Sequence, residues 1–108
     1  MHLEKTAFEK IISGKKTIEA RLRDEKRQNI ALGDEIFFIS RGNSGDTIRV
    51  RVERLWNFGT FKEMIRTISI QELGWRNERE MLKNLRVFYS EEEEQKNGVM
   101  AIRFTKIE

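Results

Sequence analysis

Apolar residues recur along this chain with two different periods, and the first segment has the period of a helix. Residues 6–9 (Thr-Ala-Phe-Glu) match a capping box, in which the Thr and Glu side chains bond main-chain amides at a helix start. Phe8, Ile11 and Ile12 then fall on one helical face, and Gly14 is placed to end the helix. The pattern therefore predicts an amphipathic helix before residue 14.

Period two replaces the helical period directly afterwards. Between residues 17 and 23, Ile18, Ala20 and Leu22 point to one side and polar or charged side chains point to the other. This alternation predicts a half-buried strand. Other segments are strongly β-prone or alternate in the same way. The predicted strands are 17–23, 35–40, 47–55 and 99–104, with a turn at 33–34 and a hairpin loop at 41–46.

Helical spacing returns in the second half of the chain. It covers residues 60–68 and residues 77–89, where Asn77 is a suitable N-cap. Residues 90–93 (Ser-Glu-Glu-Glu) form a second capping-box pattern, which predicts a short acidic helix ending at Asn97 and Gly98. Carboxylates suit the positive end of a helix dipole, so this acidic run has a structural explanation.

The order of these elements predicts the fold class. Three strands close together and a returning last strand favour an α+β fold, a small and mostly antiparallel β-barrel with flanking helices. The chain contains no proline, no repeat and no low-complexity linker. We therefore expect one domain over residues 1–108.

Composition excludes several classes of protein. The chain is 38% hydrophobic and 36% charged, has no cysteine and has one histidine, so we expect no disulfide, no metal site and no cofactor. No apolar run reaches the ~18 residues of a membrane span. With no export signal at the first residues, we expect a cytoplasmic protein without a membrane partner. His2, near the chain end, is given no role.

The distribution of charge points to an anionic partner. The net charge is +3, and residues 1–55 hold 12 basic against 9 acidic residues, whereas residues 56–108 hold 9 of each. A clustered positive field attracts polyanions, of which nucleic acid is the commonest in a cytoplasm. The basic excess therefore favours RNA or a nucleotide as partner.

Charged residues are concentrated in the stretch GKKTIEAR, residues 14–21. On a strand, Glu19 and Arg21 point to the same side with Cα atoms about 6.6 to 7 Å apart. Lys16 lies just before the strand and can reach the same side. We expect the three to meet around one pocket, with Lys16 in a cleft where its removal costs little stability. The alternative is a solvated surface whose ion pairs contribute little.

The same stretch fits the pattern G-x-K-x-x-E-x-R and resembles the signature of the ASCH domain, a branch of the superfamily with a PUA-like barrel. The resemblance extends over nearly the whole chain: an amphipathic helix precedes the motif, a Gly-Asp turn and apolar strand follow at residues 33–39, and a helix ending in Tyr89 precedes the last strand. It implies a PUA-like fold with RNA or a nucleoside as ligand.

The first interpretation is an RNA- or nucleotide-binding domain with a basic cleft. Trp75 lies in a predicted loop and is the best candidate among the aromatic residues to stack on a base. Trp56, Phe58 and Tyr89 are more typical of a core. The candidate ligand-binding residues are Lys15, Lys16, Glu19, Arg21, Arg23 and Trp75.

A hydrolase is the second interpretation, and a protein-interaction domain the third. One ASCH branch resembles an amidohydrolase of acetylated cytidine with a Lys, a Thr and a Glu as catalytic set. This sequence matches the Lys as Lys16 but has Glu19 where that branch has Thr, and the third partner stays open among Glu72, Glu78 and Glu80. A ribonuclease could instead use Glu19 as a general base. If the protein is an enzyme, Lys16 and Glu19 are the catalytic candidates.

Overall fold

The computed structural model describes residues 1–42 and 46–107. Within these ranges it has five strands and four helices. The strands are β1 (His2–Leu3), β2 (Ile18–Leu22), β3 (Glu35–Ser40), β4 (Thr47–Phe58) and β5 (Val99–Lys106). The helices are α1 (Lys5–Ile12), α2 (Phe61–Met64), α3 (Glu78–Phe88) and α4 (Glu91–Asn97). The hairpin loop predicted at 41–46 falls partly on residues 43–45, which lie outside the described residues.

All four predicted strands belong to one sheet, with the order β1-β3-β4-β5-β2. Neighbouring strands are antiparallel except β1 and β3, which pair in parallel. The sheet curls into a half-barrel, and the helices lie beside it. These features confirm the predicted α+β class and the mostly antiparallel barrel. Strands β1 and β2 are the two edges of the sheet.

Apolar side chains pack on both sides of the curled sheet. On one side, Ile18 of β2 and Val99 of β5 belong to a buried cluster with α2, α3 and the turns between these helices. A second cluster joins α1 to β3, β4 and β5, where Phe38 and Phe104 meet edge to face with ring centroids 5.1 Å apart. The sheet is therefore held between α1 on one side and α2 and α3 on the other.

Helix α1 begins earlier than the sequence predicted. Its N-cap is Glu4, which makes no side-chain capping hydrogen bond, so the capping box predicted at residues 6–9 is wrong. The cause is tertiary: β1 pairs with β3 through Leu3, and the chain enters the helix directly after this pairing ends. The short strand β1 has too few residues to show an alternating pattern.

The other helix boundaries agree with the local sequence signals, with one exception. Asn77 accepts a hydrogen bond from the amide of Glu80, and Ser90 begins a complete capping box, as predicted. The exception is the helix predicted at residues 60–68, of which only α2 is regular. Beyond Met64 the chain continues as turns that carry apolar residues into the core.

Strands β4 and β5 are longer than predicted. They pair from Val50 opposite Lys106 to Phe58 opposite Val99, so each strand supports the extension of the other beyond residues 55 and 104. Such pairing is a long-range property that single-strand patterns do not report. No helix in the described ranges is long and apolar enough to cross a membrane.

Candidate functional site

A pocket of about 370 Å³ lies at the free edge of β2. Its walls come from β1 and the start of α1 on one side, and from residues 73–75 and α3 on the other. Residues 14–21 supply its polar end through Lys16, Glu19 and Arg21. The structure therefore brings these three predicted site residues together.

Lys16 is buried at this polar end, with only 5% of its surface exposed. Its Nζ donates to the carbonyl oxygen of Leu73 at 2.7 Å and lies 3.2 Å from Oε1 of Glu19. Its stem packs against Gly74. The expectation that Lys16 contributes little to stability is therefore revised, because removing one member of a buried ion pair leaves its partner uncompensated.

Glu19 is also buried, at 6% exposure. Other parts of the chain cover the outer side of β2, so the alternative of a solvated surface does not hold for Glu19. Oε1 also accepts from the amide of Ala20 at 3.2 Å, and Oε2 accepts from Nε of Arg21 at 3.1 Å. Burial by itself raises the pKa of Glu19, but the charges and hydrogen bonds of Lys16 and Arg21 outweigh burial and hold the pKa below its ordinary value.

Arg21 connects the two edges of the sheet. Besides its pair with Glu19, its Nη2 donates to the main-chain carbonyl of His2 in β1 at 2.6 Å. Burial lowers the pKa of Arg21, but Glu19 and a hydrogen bond with Tyr89 raise it more, so the group stays charged. His2 thus has a main-chain role in the site that the sequence did not indicate.

The hydrogen-bond donors of the site exceed its acceptors. A carboxylate offers about four acceptor positions, and Glu19 has four close contacts from Lys16, the Ala20 amide, and Nε and Nη2 of Arg21. Lys16 uses two of its three N–H groups, and Arg21 divides its five N–H groups among four contacts, two with Glu19 and one each with the carbonyl of His2 and with Tyr89. The polar end therefore carries one net positive charge and spare N–H donors.

Aromatic and apolar groups form much of the remainder of the pocket, which is also lined by the polar residues Glu4, Thr6, Arg41 and Asn84. Trp75 lines it, as the prediction of a stacking residue requires, and its ring lies 5.1 Å from Nζ of Lys10. Tyr89 also lines it and stacks on Phe61 with centroids 6.0 Å apart. Phe88 is half-exposed at the rim. Stacking on a base is available here, whereas Trp56 lies elsewhere, beside Arg54 and Arg103.

Two predicted ligand residues lie apart from this pocket. Lys15 and Arg23 are exposed and do not line it. Sequence proximity placed them in the cluster, but Lys15 lies before the strand with its side chain in solvent, and Arg23 follows the end of β2. They remain candidates for contacts with a longer ligand that extends over the surface.

The three carboxylates considered as a third catalytic partner do not line the pocket either. Glu72 pairs with Arg103 at 2.9 Å, and Glu78 and Glu80 lie in the first turn of α3. Asn84 of α3 does line it, and no sequence signal distinguished it from other polar helix residues. Among residues 1–42 and 46–107, no three His, Cys, Asp or Glu side chains converge to hold a metal ion.

Comparison with protein families gives a match over the whole length of the chain. The family model of the ASCH domain matches residues 1–108. None of the curated proteins compared with the chain is detectably similar to it.

Solved structures give the same result for the fold. The crystal structure of hypothetical protein PH0355 is 38% identical, with a TM-score of 0.84 over 99% of this chain and 96% of that one. The solution structure of protein PF0455 from Pyrococcus furiosus is 33% identical, with a TM-score of 0.73 over 100% and 99%. ASCH from Zymomonas mobilis is 19% identical, with a TM-score of 0.61 over 97% and 64%, and supports the PUA-like fold alone.

Replacing Gly74 with Ala should displace Lys16. Gly74 has a φ of +87°, and a Cβ there would lie 3.2 Å from the Cβ of Lys16. Gly33 is a matched control, since its φ is +85° and no atom lies within 4 Å of its added Cβ. We expect Gly33→Ala to cost about 1 kcal/mol from backbone strain alone and Gly74→Ala to cost clearly more. Urea unfolding measures both, and equal losses would contradict the contact.

The lowered pKa of Glu19 predicts the pH dependence of stability. A carboxyl whose pKa is lower when folded stabilises the protein above its ordinary value of 4.5, and that contribution is lost as the pH falls through the folded value. Glu19→Gln should therefore be less stable than wild type near neutral pH, and its unfolding free energy should change less as the pH falls below about 5. The exposed Glu92→Gln is the control, and it should keep most of the wild-type dependence. Parallel curves for wild type and Glu19→Gln would refute the assignment.

Proposed function

The chain belongs to the ASCH domain family, and we propose that its pocket binds one nucleotide unit, supplied as a free nucleoside or nucleotide or as an unpaired residue of an RNA. The observation that carries the proposal is the state of Glu19, whose acceptor positions are occupied by the protein itself. Spare donors of Lys16 and Arg21 are left at the polar end for a ligand. These donors suit the carbonyl oxygens of a base or a phosphate oxygen.

The size and walls of the pocket agree with this ligand class. A volume of about 370 Å³ lies within the range of about 300–1,000 Å³ that is usual for small-molecule sites. Trp75, Tyr89 and the rim residue Phe88 supply aromatic surface, on which a base can stack. Apolar side chains from α3 complete the walls. A flat ring with a polar edge fits this combination of surfaces.

Binding is favoured over hydrolysis by the same geometry. A general base needs a pKa near the working pH and a free lone pair directed at the substrate. Glu19 has a pKa below its ordinary value, and its oxygens already accept from Lys16, Arg21 and the Ala20 amide. A role in holding the two cations in place therefore fits Glu19 better than proton transfer.

A substitution that fills the pocket should weaken nucleoside binding. Asn84 and Lys83 are neighbours on α3, but only Asn84 lines the pocket and Lys83 is exposed. We expect Asn84→Trp to weaken binding of nucleosides at least about tenfold, or ~1.4 kcal/mol. Lys83→Trp, with the same added ring on the same helix, should bind as wild type does. Isothermal titration calorimetry with uridine and cytidine, after thermal unfolding has shown that both variants fold, measures the difference.

Titration with a short single-stranded RNA in the same assay distinguishes RNA from free nucleosides as the ligand. If RNA is the ligand, it should bind more tightly than the mononucleotides, and its affinity should fall as the salt concentration rises. In Arg23→Ala this salt dependence should decrease by the amount expected for about one phosphate contact. If free nucleosides are the ligand, the oligonucleotide adds nothing. If Asn84→Trp still binds both the nucleosides and the RNA as wild type does, binding takes place outside the pocket and the proposal is wrong.

A further inference from the structure

A cationic patch lies on the face of the sheet formed by β4 and β5. It consists of Arg54 and Trp56 of β4 and Arg103 of β5, and these three residues are called the arginine patch below. Assuming that the pocket binds one nucleotide unit as proposed, we infer that the arginine patch binds the phosphate backbone of the same ligand, so that the partner is single-stranded RNA rather than a free nucleotide.

The pairing of β4 with β5 brings two guanidinium groups together. Arg54 and Arg103 are partners in register, so both side chains project from the same face of the sheet. Cζ of Arg54 lies 4.4 Å from the ring centroid of Trp56, and Cζ of Arg103 lies 5.6 Å from it. The ring packs against the core and holds both cations at one place. Like charges on directly opposite residues repel, and an anion bound at the patch would relieve this repulsion.

A carboxylate pairs with Arg103, whereas Arg54 has none within the described residues. Oε2 of Glu72 lies 2.9 Å from Nη2 of Arg103, and both side chains of this pair are partly exposed. Among residues 1–42 and 46–107, no acceptor takes a hydrogen bond from the guanidinium of Arg54. Arg54 is exposed, so its five N–H groups are available to a ligand. The arginine patch therefore has one uncompensated positive charge and a planar set of donors, which suits a phosphate group.

Glu72 and Trp75 connect the arginine patch to the pocket. The side chain of Glu72 bonds the patch, and Trp75 lines the pocket. Three residues of chain span at most about 11 Å, so these two contacts lie close together. Arg103 is also the register partner of Ile18, which directly precedes the pocket residue Glu19. A strand with one unpaired nucleotide in the pocket therefore has neighbouring phosphates within reach of the patch.

A strand of RNA uses both sites at once, whereas smaller ligands use one. A mononucleotide in the pocket meets the spare donors of Lys16 and Arg21 and leaves the arginine patch free. An acidic peptide would match the charge of the patch but offers no base to the aromatic walls of the pocket. A single strand supplies a base and a phosphate together, and the counterions released at the patch add to its affinity.

Fluorescence anisotropy with a short labelled single-stranded RNA, measured at several salt concentrations, tests the inference. In Arg54→Ala the slope of log affinity against log salt concentration should become shallower by about 0.7, the value for one phosphate contact on a single strand. The affinity at low salt should fall at least about threefold. Uridine and cytidine should bind this variant within about twofold of wild type, because the pocket is unchanged. Thermal unfolding checks that the variant folds.

Two further variants are the controls. Arg49→Ala removes the same charge from the same strand, but Arg49 pairs with Glu35 at 3.2 Å and lies five residues before Arg54. It should change the slope by less than half as much. Arg54→Lys keeps the charge and should keep most of the slope. Equal effects of Arg49→Ala and Arg54→Ala would show that net charge governs binding and would overturn the inference. An Arg54→Lys variant as impaired as Arg54→Ala would overturn it as well.

Failure of this inference is distinct from failure of the proposed function. If the RNA binds wild type no more tightly than the nucleosides, or binds Arg54→Ala as it binds wild type, the patch has no part in binding while the pocket stands. If polyglutamate displaces the labelled RNA as well as unlabelled RNA of equal charge does, the patch accepts acidic chains in general and the inference is wrong. If neither nucleosides nor RNA bind, or if Asn84→Trp retains all binding, the proposed function itself fails.

Discussion

A buried carboxylate held between two cations is the interaction on which this pocket depends. Glu19 lies on an edge strand, and each of its partners reaches a different part of the chain: Lys16 bonds the carbonyl of Leu73, and Arg21 bonds that of His2. Buried ion pairs contribute little net stability because of desolvation, but removing one partner is costly. The arrangement therefore fixes the positions of β1, β2 and residues 73–75 more than it adds to the free energy of folding.

The same interaction determines what is left for a ligand. The oxygens of Glu19 accept hydrogen bonds from the protein itself, so the carboxylate offers no acceptor position to a ligand. A ligand at this end of the pocket would meet the remaining N–H donors of Lys16 and Arg21. A motif with charges of both signs thus produces a pocket that suits acceptors.

Sequence patterns predicted four of the five described strands, the fold class and the meeting of Lys16, Glu19 and Arg21, because alternation and spacing are local properties. They did not predict that Glu19 is buried. Alternation assigns residues to two faces, but whether the second face meets solvent depends on elements far away in sequence, here β1, α1 and α3. For the same reason Lys15 and Arg23, which have the same chemistry as their neighbours, were grouped with a pocket that they do not line.

An edge strand is usually a liability, because its unpaired main-chain groups can bind another strand. In this chain the edge of β2 is covered in part: the carbonyl of Glu72 occupies the amide of Ile18, and the pocket walls restrict access around Ala20. An incoming strand would need a long open edge, which the pocket walls do not leave. A small flat ligand needs access to only one residue of that edge. The covering that protects the sheet from pairing with another strand therefore also forms the walls of the pocket at this edge.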